Sequence, residues 1–506
     1  MERRDFIALF GKTVAWAAGA AALGGCRQPE PLGGAEPPSA HESIIVVGAG
    51  MAGLTAARAL HDAGWKVVVV EGRDRLGGRT FTANFGGGRA DLGGAWIHGA
   101  TNNPVADYAD AIGLRRTPHD LDPGWIYDAI DGRSVDDDEL LALLRTVERF
   151  ERDAWSLEIA NDPEASASDL IEAYLDTRSV SGAARERARF VLELVLSASS
   201  GPIDELSPWL WIHSEEDPTR GGDEVIEGGY GVVVERLAAG LEIRTGAPVR
   251  AIRRAEDGVE VQLEGETVVG SHVIVTVPLG VLQAGSIEFE PPLPPAKRDA
   301  IARTGFGSFE KIVLAWDEPW WGDESFDLLY YAGTGGARRF SSWFDMSAPT
   351  GVPTLACLYS GRWAQVAQDT MTDAQLVERA LAVLSEAAGV QLPAPTDSVV
   401  TRWSSDPFAR GSYSYAKLGQ QPRDVGVLAE PVDGRVLFAG EATDAASPAT
   451  VHGAFRSGLR EAQRIDPTAT VPGSRARRRA AVTPRGDRTP ARVATARAPI
   501  RRGRGI

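Results

Sequence analysis

The chain has 506 residues, 43% hydrophobic and 24% charged, enough for two or three lobes around a large core, and this composition excludes disorder as the main state. Two cysteines, Cys26 and Cys357, exclude a disulfide framework or a multi-cysteine metal centre, and no His-Glu-x-x-His or Gly-x-Ser-x-Gly occurs to suggest a zinc protease or an α/β-hydrolase. The net charge is −16, but eleven arginines against one aspartate from Arg475 onward make the tail +10 and leave −26 on the rest; an acidic body draws cations by long-range attraction.

Met1-Glu2-Arg3-Arg4-Asp5-Phe6-Ile7, followed by an Ala/Gly-rich apolar stretch from Thr13 to Leu23, resembles a twin-arginine export signal. The stretch is too short and too rich in alanine to span a bilayer. Gly11-Lys12-Thr13 is no P-loop, because Phe6 stands where its first glycine belongs. Leu23-Gly24-Gly25-Cys26 resembles a lipoprotein cleavage box that would put a lipid anchor on Cys26; plain signal cleavage nearby is the alternative. Residues 1–27 are read as the signal and the Pro/Gly-rich 28–42 as a tether. The expected partner is the twin-arginine export machinery, and the expected place is periplasmic, extracellular or membrane-tethered.

Ser43-Ile44-Ile45-Val46-Val47 is a short apolar run of the kind buried on both faces of a parallel sheet. It ends in Gly48-Ala49-Gly50-Met51-Ala52-Gly53; Leu54 to Leu60 then reads as a helix stopping near Gly64, and Val67 to Val70 as a strand closing on Glu71. Strand, glycine turn, helix, strand and acid together form the dinucleotide fingerprint. Gly48 permits the tight turn, Gly50 lets a pyrophosphate approach the backbone, and Gly53 lets helix meet strand. The helix N-terminus favours phosphate. Glu71 accepts ribose hydroxyls and repels a 2′-phosphate, which leaves NAD or FAD.

Further along, Leu140, Leu143, Leu144, Val147 and Phe150 keep a helical period after Asp136-Asp137-Asp138, an acidic helix start. Val259, Val261 and Leu263 alternate as in a strand, Gly265 turns, and Val273 to Val277 reads as buried strand. Thr372 with Gln375 makes a capping box for a helix ending near Gly389. Beyond Pro467 the arginine-rich tail has almost no large apolar residues and reads as disordered. No nucleic-acid partner is expected from it.

Five separated motifs carry a resemblance. They are Glu71-Gly72-Arg73-Asp74-Arg75-Leu76-Gly77-Gly78-Arg79-Thr80; Asp91-Leu92-Gly93-Gly94-Ala95-Trp96-Ile97-His98-Gly99; Gly305 through Lys311 to Leu314; Arg402-Trp403 through Asp406 to Tyr415; and Phe438-Ala439-Gly440-Glu441-Ala442-Thr443 with Pro448-Ala449-Thr450-Val451-His452-Gly453-Ala454. Over about residues 43–466 the chain resembles the flavin-containing amine oxidases, a family of monoamine oxidases, polyamine and spermine oxidases and lysine-specific histone demethylases. The resemblance implies an α/β fold: a Rossmann-type FAD-binding domain with an interleaved α+β substrate domain. The FAD domain would comprise 43–118, 222–283 and 425–466, the substrate domain 119–221 and 284–424, with 467–506 as the basic tail.

The same resemblance implies roles. Arg73, Gly78 and Arg79 belong to the segment along the FAD pyrophosphate, Ala95 and Trp96 pass the flavin, and Val249 meets the adenine from a strand. Trp403 packs near the flavin, and Gly440 with Glu441 takes ribityl or ribose hydroxyls. The helix opening at Thr450-Val451 aims its positive end at the flavin C2 carbonyl, a contribution of about 1 kcal/mol. Lys311 holds a water against flavin N5. Tyr413 is one wall of the amine cage and Thr450 the other, so the two-tyrosine sandwich of monoamine oxidases is absent and a longer or bulkier amine fits better. Ser412 stands in place of the cysteine that binds FAD covalently in those enzymes, which implies noncovalent FAD. His98 matches a histidine at the mouth of polyamine and spermine oxidase sites, where it would hydrogen-bond a distal amine. Glu215, Glu216, Asp217, Glu224 and Glu227 form an acidic stretch that could meet a polycation or simply be solvated.

The activity implied is oxidation of an amine, polyamine-type favoured, by hydride transfer to FAD, with dioxygen reduced to hydrogen peroxide and the imine hydrolysed to an aldehyde. No metal is expected. An L-amino-acid oxidase or tryptophan monooxygenase remains open, and would need an arginine for the substrate carboxylate. A non-catalytic FAD-binding scaffold or sensor is the reading outside enzymology.

Overall fold

The computed structural model describes residues 43–119, 125–196, 199–322, 326–331 and 340–472. The export signal, the Cys26 lipid box, the tether and most of the basic tail lie outside the described residues. The expected start of the tail moves, however. Ala469 and Val471 are buried in the same core cluster as Ile44 and Val46, so packing continues beyond Pro467.

The first sheet is five-stranded and parallel, in the order Glu242–Arg244, Lys66–Val70, Ser43–Val47, His272–Val275, Val436–Phe438. Alternate residues of the Ser43–Val47 strand serve two cores: Ile44 and Val46 face one, Ile45 and Val47 the other. On the first side lie the helices Met51–Asp62 and Val451–Ile465, which pack on each other so closely that a Cβ on Gly458 would stand 2.1 Å from the Ala52 carbonyl oxygen. On the second side lies a four-stranded sheet of Thr267–Gly270, Gly258–Gln262, Ala251–Ala255 and Glu288–Glu290. Burial on both faces is why Ser43–Val47, Lys66–Val70 and His272–Val275, the inner strands of the parallel sheet, are apolar after their first residue.

The second large sheet has seven strands, in the order Asp397–Val400, Phe309–Ala315, Thr354–Ser360, Ser342–Asp345, Leu328–Tyr331, Trp125–Asp128, Arg133–Ser134. Within Phe309–Ala315, Ile312 and Leu314 face a core shared with the helix Asp373–Ala388, while Val313 and Ala315 face Ala95 and Trp96. The period of two therefore turns Lys311 toward Trp96. The helices Asp137–Asp153, Ala167–Thr177 and Gly182–Leu196 form a third cluster around Phe150 and Tyr174.

The local signals correspond to specific bonds. Asp136 caps its helix in a box with Glu139, Thr372 in a box with Gln375, and Gly389 closes the latter helix in the left-handed region at φ +67°. Two boundaries differ from expectation. Glu288–Glu290 pairs with Ala251–Ala255, and Ala300 and Ile301 of the helix Pro295–Arg303 enter the dinucleotide-side core, so residues 284–303 pack there and not with the seven-stranded sheet. Val249 precedes the strand Ala251–Ala255 in a connecting segment instead of lying within a strand.

Candidate cofactor and amine site

One cavity of about 1190 Å³ opens where the strands Ser43–Val47 and His272–Val275 end side by side, the switch-point location expected of an open α/β sheet. Gly48 turns at φ +105°, where a Cβ would meet Thr276 Oγ1 at 2.6 Å, and a Cβ on Gly53 would stand 2.0 Å from the Gly48 carbonyl oxygen. Gly50 differs: a Cβ there would find nothing nearer than the Gly77 carbonyl oxygen at 3.9 Å, so its backbone borders open space. A second glycine turn closes on it. Gly77 N–H donates to the Ala49 carbonyl at 2.9 Å, and Gly78 approaches the Gly50 Cα. The helix Met51–Asp62 begins here with neither a capping side chain nor an acid in its first turn. Its first N–H groups and positive end are left for an anion, a fit to a pyrophosphate.

Glu71 is buried at the cavity edge and accepts from the amides of Ala49 (2.8 Å) and Arg73 (2.9 Å). Each carboxylate oxygen keeps a second lone pair for a ribose hydroxyl. Pro248 and Val249 line the cavity beside Glu71, whose carbonyl accepts from the Ala247 amide at 2.8 Å. Arg73 is engaged by the protein itself, donating to Asp406 at 2.7 Å beside the Phe408 ring. Burial, with the neighbouring Arg73 charge, lowers the pKa of Arg75 to about 10; its guanidinium lies over Phe81.

The Glu441 side chain is engaged by the protein. Its buried carboxylate accepts from Arg79 Nη1 (2.9 Å), Ser414 Oγ (2.6 Å) and the amides of Ser414 (3.3 Å) and Ala449 (2.8 Å). Four donors fill its acceptor capacity, so only the backbone of the Gly440-Glu441 turn remains for cofactor hydroxyls. Arg79 also donates to the Ser412 carbonyl at 2.8 Å. The Ser412 hydroxyl is tied to the backbone of Phe309, donating to its carbonyl and accepting from its amide, each at 2.7 Å.

Lys311 is buried, and Nζ donates to the carbonyls of Asp91 (3.0 Å) and Gly93 (2.6 Å), 5.1 Å from the centre of the Trp96 ring. Burial lowers its pKa to about 8 against the pull of the Asp91 charge. Gly93 and Gly94 permit this crowding: a Cβ on Gly93 would meet the Arg79 carbonyl at 1.8 Å, and one on Gly94 would meet Val451 Cγ2 at 2.7 Å. Trp403 Nε1 donates to the Leu92 carbonyl at 3.3 Å, so Trp403 and Lys311 grip one loop. The ring of Tyr413 packs beside Phe309, and burial with the Glu441 charge raises its phenol pKa. Thr450 lines the same cavity, but its hydroxyl is spent as a helix cap, accepting from Gly453 N–H at 2.9 Å and donating to the Ser447 carbonyl at 2.8 Å. Val451 then opens a 15-residue helix toward the cavity.

His98 Nδ1 bonds Asp223 at 3.0 Å, with Asp223 also accepting from the Gly99 amide. Burial would depress the imidazole pKa, but the Asp223 charge and hydrogen bond, with the Asp217 charge, outweigh it and raise the value above 6.5. An imidazolium accepts no hydrogen bond, so contact with a distal ammonium requires neutral His98. The acidic stretch is a correction to the polycation expectation. Glu216 pairs with Arg220, Asp217 with His452, Glu224 with Arg116 and Glu227 with Arg115, and none of these carboxylates, nor Glu215, lines the cavity. Glu151, Glu193 and Asp204 do line the cavity, together with Trp155, Phe190 and Trp211. The only foretoken in the sequence is a glutamate directly after Phe150, at the edge of an apolar helix face.

Residues 51–466 match the flavin containing amine oxidoreductase family. The chain belongs to that family. It is 37% identical to lysine-specific histone demethylase 1 homolog 1 of Oryza sativa subsp. japonica, covering 84% of this chain and 52% of that protein. It is 34% identical to lysine-specific histone demethylase 2 of Homo sapiens, covering 84% and 53%. The chain thus spans about half the length of the curated relatives it matches. In fold it is similar to a putrescine oxidase solved with putrescine bound, with a TM-score of 0.69, 23% identity, and coverage of 84% of this chain and 98% of that one. This amine oxidoreductase takes FAD as its cofactor, and the uncapped helix start and facing glycine turns fit the dinucleotide. Among the described residues, no group of three or more His, Cys, Asp or Glu is placed to hold a metal ion, and no helix is long and apolar enough to cross a membrane.

Proposed function

We propose that this amine oxidoreductase is an oxidase of extended, polyamine-type amines, producing an aldehyde and hydrogen peroxide, with FAD held noncovalently. The observation that carries the reading is the cavity's lining, which joins Tyr413 and Thr450 to the rings of Trp155, Phe190 and Trp211 and to Glu151 and Glu193, while Asp204 is paired with Arg362. An acidic and aromatic lining suits a chain bearing a second cation. An amino-acid substrate would want a guanidinium there. Of the arginines that line the cavity, Arg362 is paired with Asp204 at 2.9 Å and Arg73 and Arg79 with Asp406 and Glu441; Arg250 and Arg410 are the others. Putrescine oxidase supports the reading as a structural neighbour, and the histone demethylases keep a methylated lysine side chain in view as a competing substrate.

When bound, FAD supplies the two-electron oxidant for the amine α-carbon and the route of those electrons to dioxygen. The chain's own residues do the rest. Tyr413 and the Thr450 methyl flank the amine, Trp96 and Trp403 exclude water, and Lys311 presents its ammonium to the reacting end. The helix Val451–Ile465 directs its positive end to the same point.

Anaerobic mixing of the FAD-loaded protein with spermine, spermidine, their acetylated forms, benzylamine, L-amino acids and a dimethyl-lysine peptide tests this, with flavin absorbance as the signal. Bleaching by the polyamines and not by benzylamine is expected. Bleaching by amino acids alone, or by the peptide alone, overturns the substrate class, and no bleaching by any of them favours the scaffold reading.

A further inference from the structure

The 506 residues include only five lysines, and one of them, Lys311, is buried at the wall of the cavity. Its Nζ makes two hydrogen bonds, both to carbonyls of one loop, Asp91 at 3.0 Å and Gly93 at 2.6 Å. Carbonyls only accept, so they hold two N–H groups whether the side chain is charged or neutral. Nζ sits at the cavity wall 5.1 Å from the centre of the Trp96 ring, and the third position has no carbonyl partner. It is a donor in the ammonium and a lone pair in the amine. What Lys311 offers the cavity therefore turns on one proton, which leaves to solvent and returns from it.

The Asp91 carboxylate is a built feature of the same loop. It accepts from the Tyr230 amide at 3.1 and 3.2 Å and from Thr82 Oγ1, and Gly229 comes close enough that a Cβ there would lie 2.6 Å from Oδ1. The other charged groups nearby are engaged elsewhere. Arg89 pairs with Glu235 at 3.0 Å. Glu310, the strand neighbour of Lys311, is held by Thr401, Trp403 and Ser404. His98 stacks on Trp96 but pairs with Asp223, and the Tyr230 hydroxyl donates to the Trp96 carbonyl.

We infer that Asp91 is the positioning residue that keeps Lys311 an ammonium with its third N–H turned to the cavity, its carboxylate supplying the charge and its carbonyl one of the two anchors. Burial alone favours the neutral amine, with the Lys311 pKa near 8 and the Asp91 charge opposing the shift. Burial likewise pushes Asp91 up to about 6, against its Thr82 bond and the Lys311 charge. The two are charged together between about pH 6 and 8.

The inference rests on the amine-oxidase reading only for its consequence in turnover, so the test needs none. FAD-loaded full-length chain labelled with [13C]lysine gives at most five lysine 13Cε signals, and Lys311→Arg assigns the one of interest. In wild type, the Lys311 signal should titrate near pH 8 and show a second inflection near pH 6 from Asp91. Asp91→Asn keeps an acceptor oxygen for Tyr230 and Thr82 but removes the charge. It should lower the Lys311 midpoint by about one unit or more and abolish the acid inflection. Thr82→Val removes a bond that holds the Asp91 pKa down, so it should keep the acid inflection and move it to higher pH. A midpoint unmoved by Asp91→Asn, an acid inflection that stays in place in Thr82→Val, or a wild-type curve without the acid inflection each overturns the inference. The wild-type curve decides even where Asp91→Asn does not fold.

Discussion

Lys311→Met slows flavin turnover with amine by about 100-fold or more, the ordinary worth of a positioned proton-bearing group. Methionine fills nearly the same volume, so the wall between the strand Phe309–Ala315 and Trp96 stays packed. What is lost is the charge and the N–H groups on Asp91, Gly93 and the cavity. Cofactor affinity should change little, because the glycine turns and Glu71 lie elsewhere on the cavity wall. Stopped-flow measurement separates the reductive half-reaction from reoxidation by dioxygen. Rates within twofold of wild type in both halves would remove the role given to Lys311.

Glu441→Ala acts through stability and cofactor retention instead. Its carboxylate is 6% exposed, and the paired Arg79 21%. Truncation leaves that guanidinium without its carboxylate and strands the Ser414 hydroxyl and the amides of Ser414 and Ala449. Breaking a buried pair by removing one partner costs about 3–5 kcal/mol. Ala449 already sits at φ +64°, a conformation non-glycine residues seldom adopt, and the Glu441 bond helps hold it there. Denaturation should therefore come markedly earlier, and FAD should be lost on gel filtration. Glu441→Gln keeps one acceptor oxygen and the side-chain volume, and should recover part of both. An alanine variant as stable as wild type would show that the four donors find other partners.

The cofactor half of the site was legible because its signals are local. Gly48, Gly50 and Gly53 span six residues, and their turn, open approach and helix contact follow from a backbone path that only glycine permits. The capping boxes at Asp136 and Thr372 span four residues each, and the period-two alternation of Ile44 to Val47 names both faces of one strand. Lys311, Tyr413 and Trp403 were found by motif, and the structure brings all three to one cavity with Ala95 and Trp96.

The pairings were not legible. Arg79 meets Glu441 across 362 positions, Lys311 meets the Asp91 carbonyl across 220, His452 meets Asp217 across 235 and His98 meets Asp223 across 125. That is why the stretch from Glu215 to Glu227 read as a possible polycation site, when most of those carboxylates are taken by protein donors, as the Glu441 carboxylate is by Arg79. Sequence by itself determined the family, the dinucleotide turn and which residues each element turns inward, since these depend on backbone freedom and on periodicity within one segment. Tertiary structure alone decided which charges are spent on one another and which still face the cavity, because that depends on packing between elements hundreds of residues apart and on the desolvation that packing imposes.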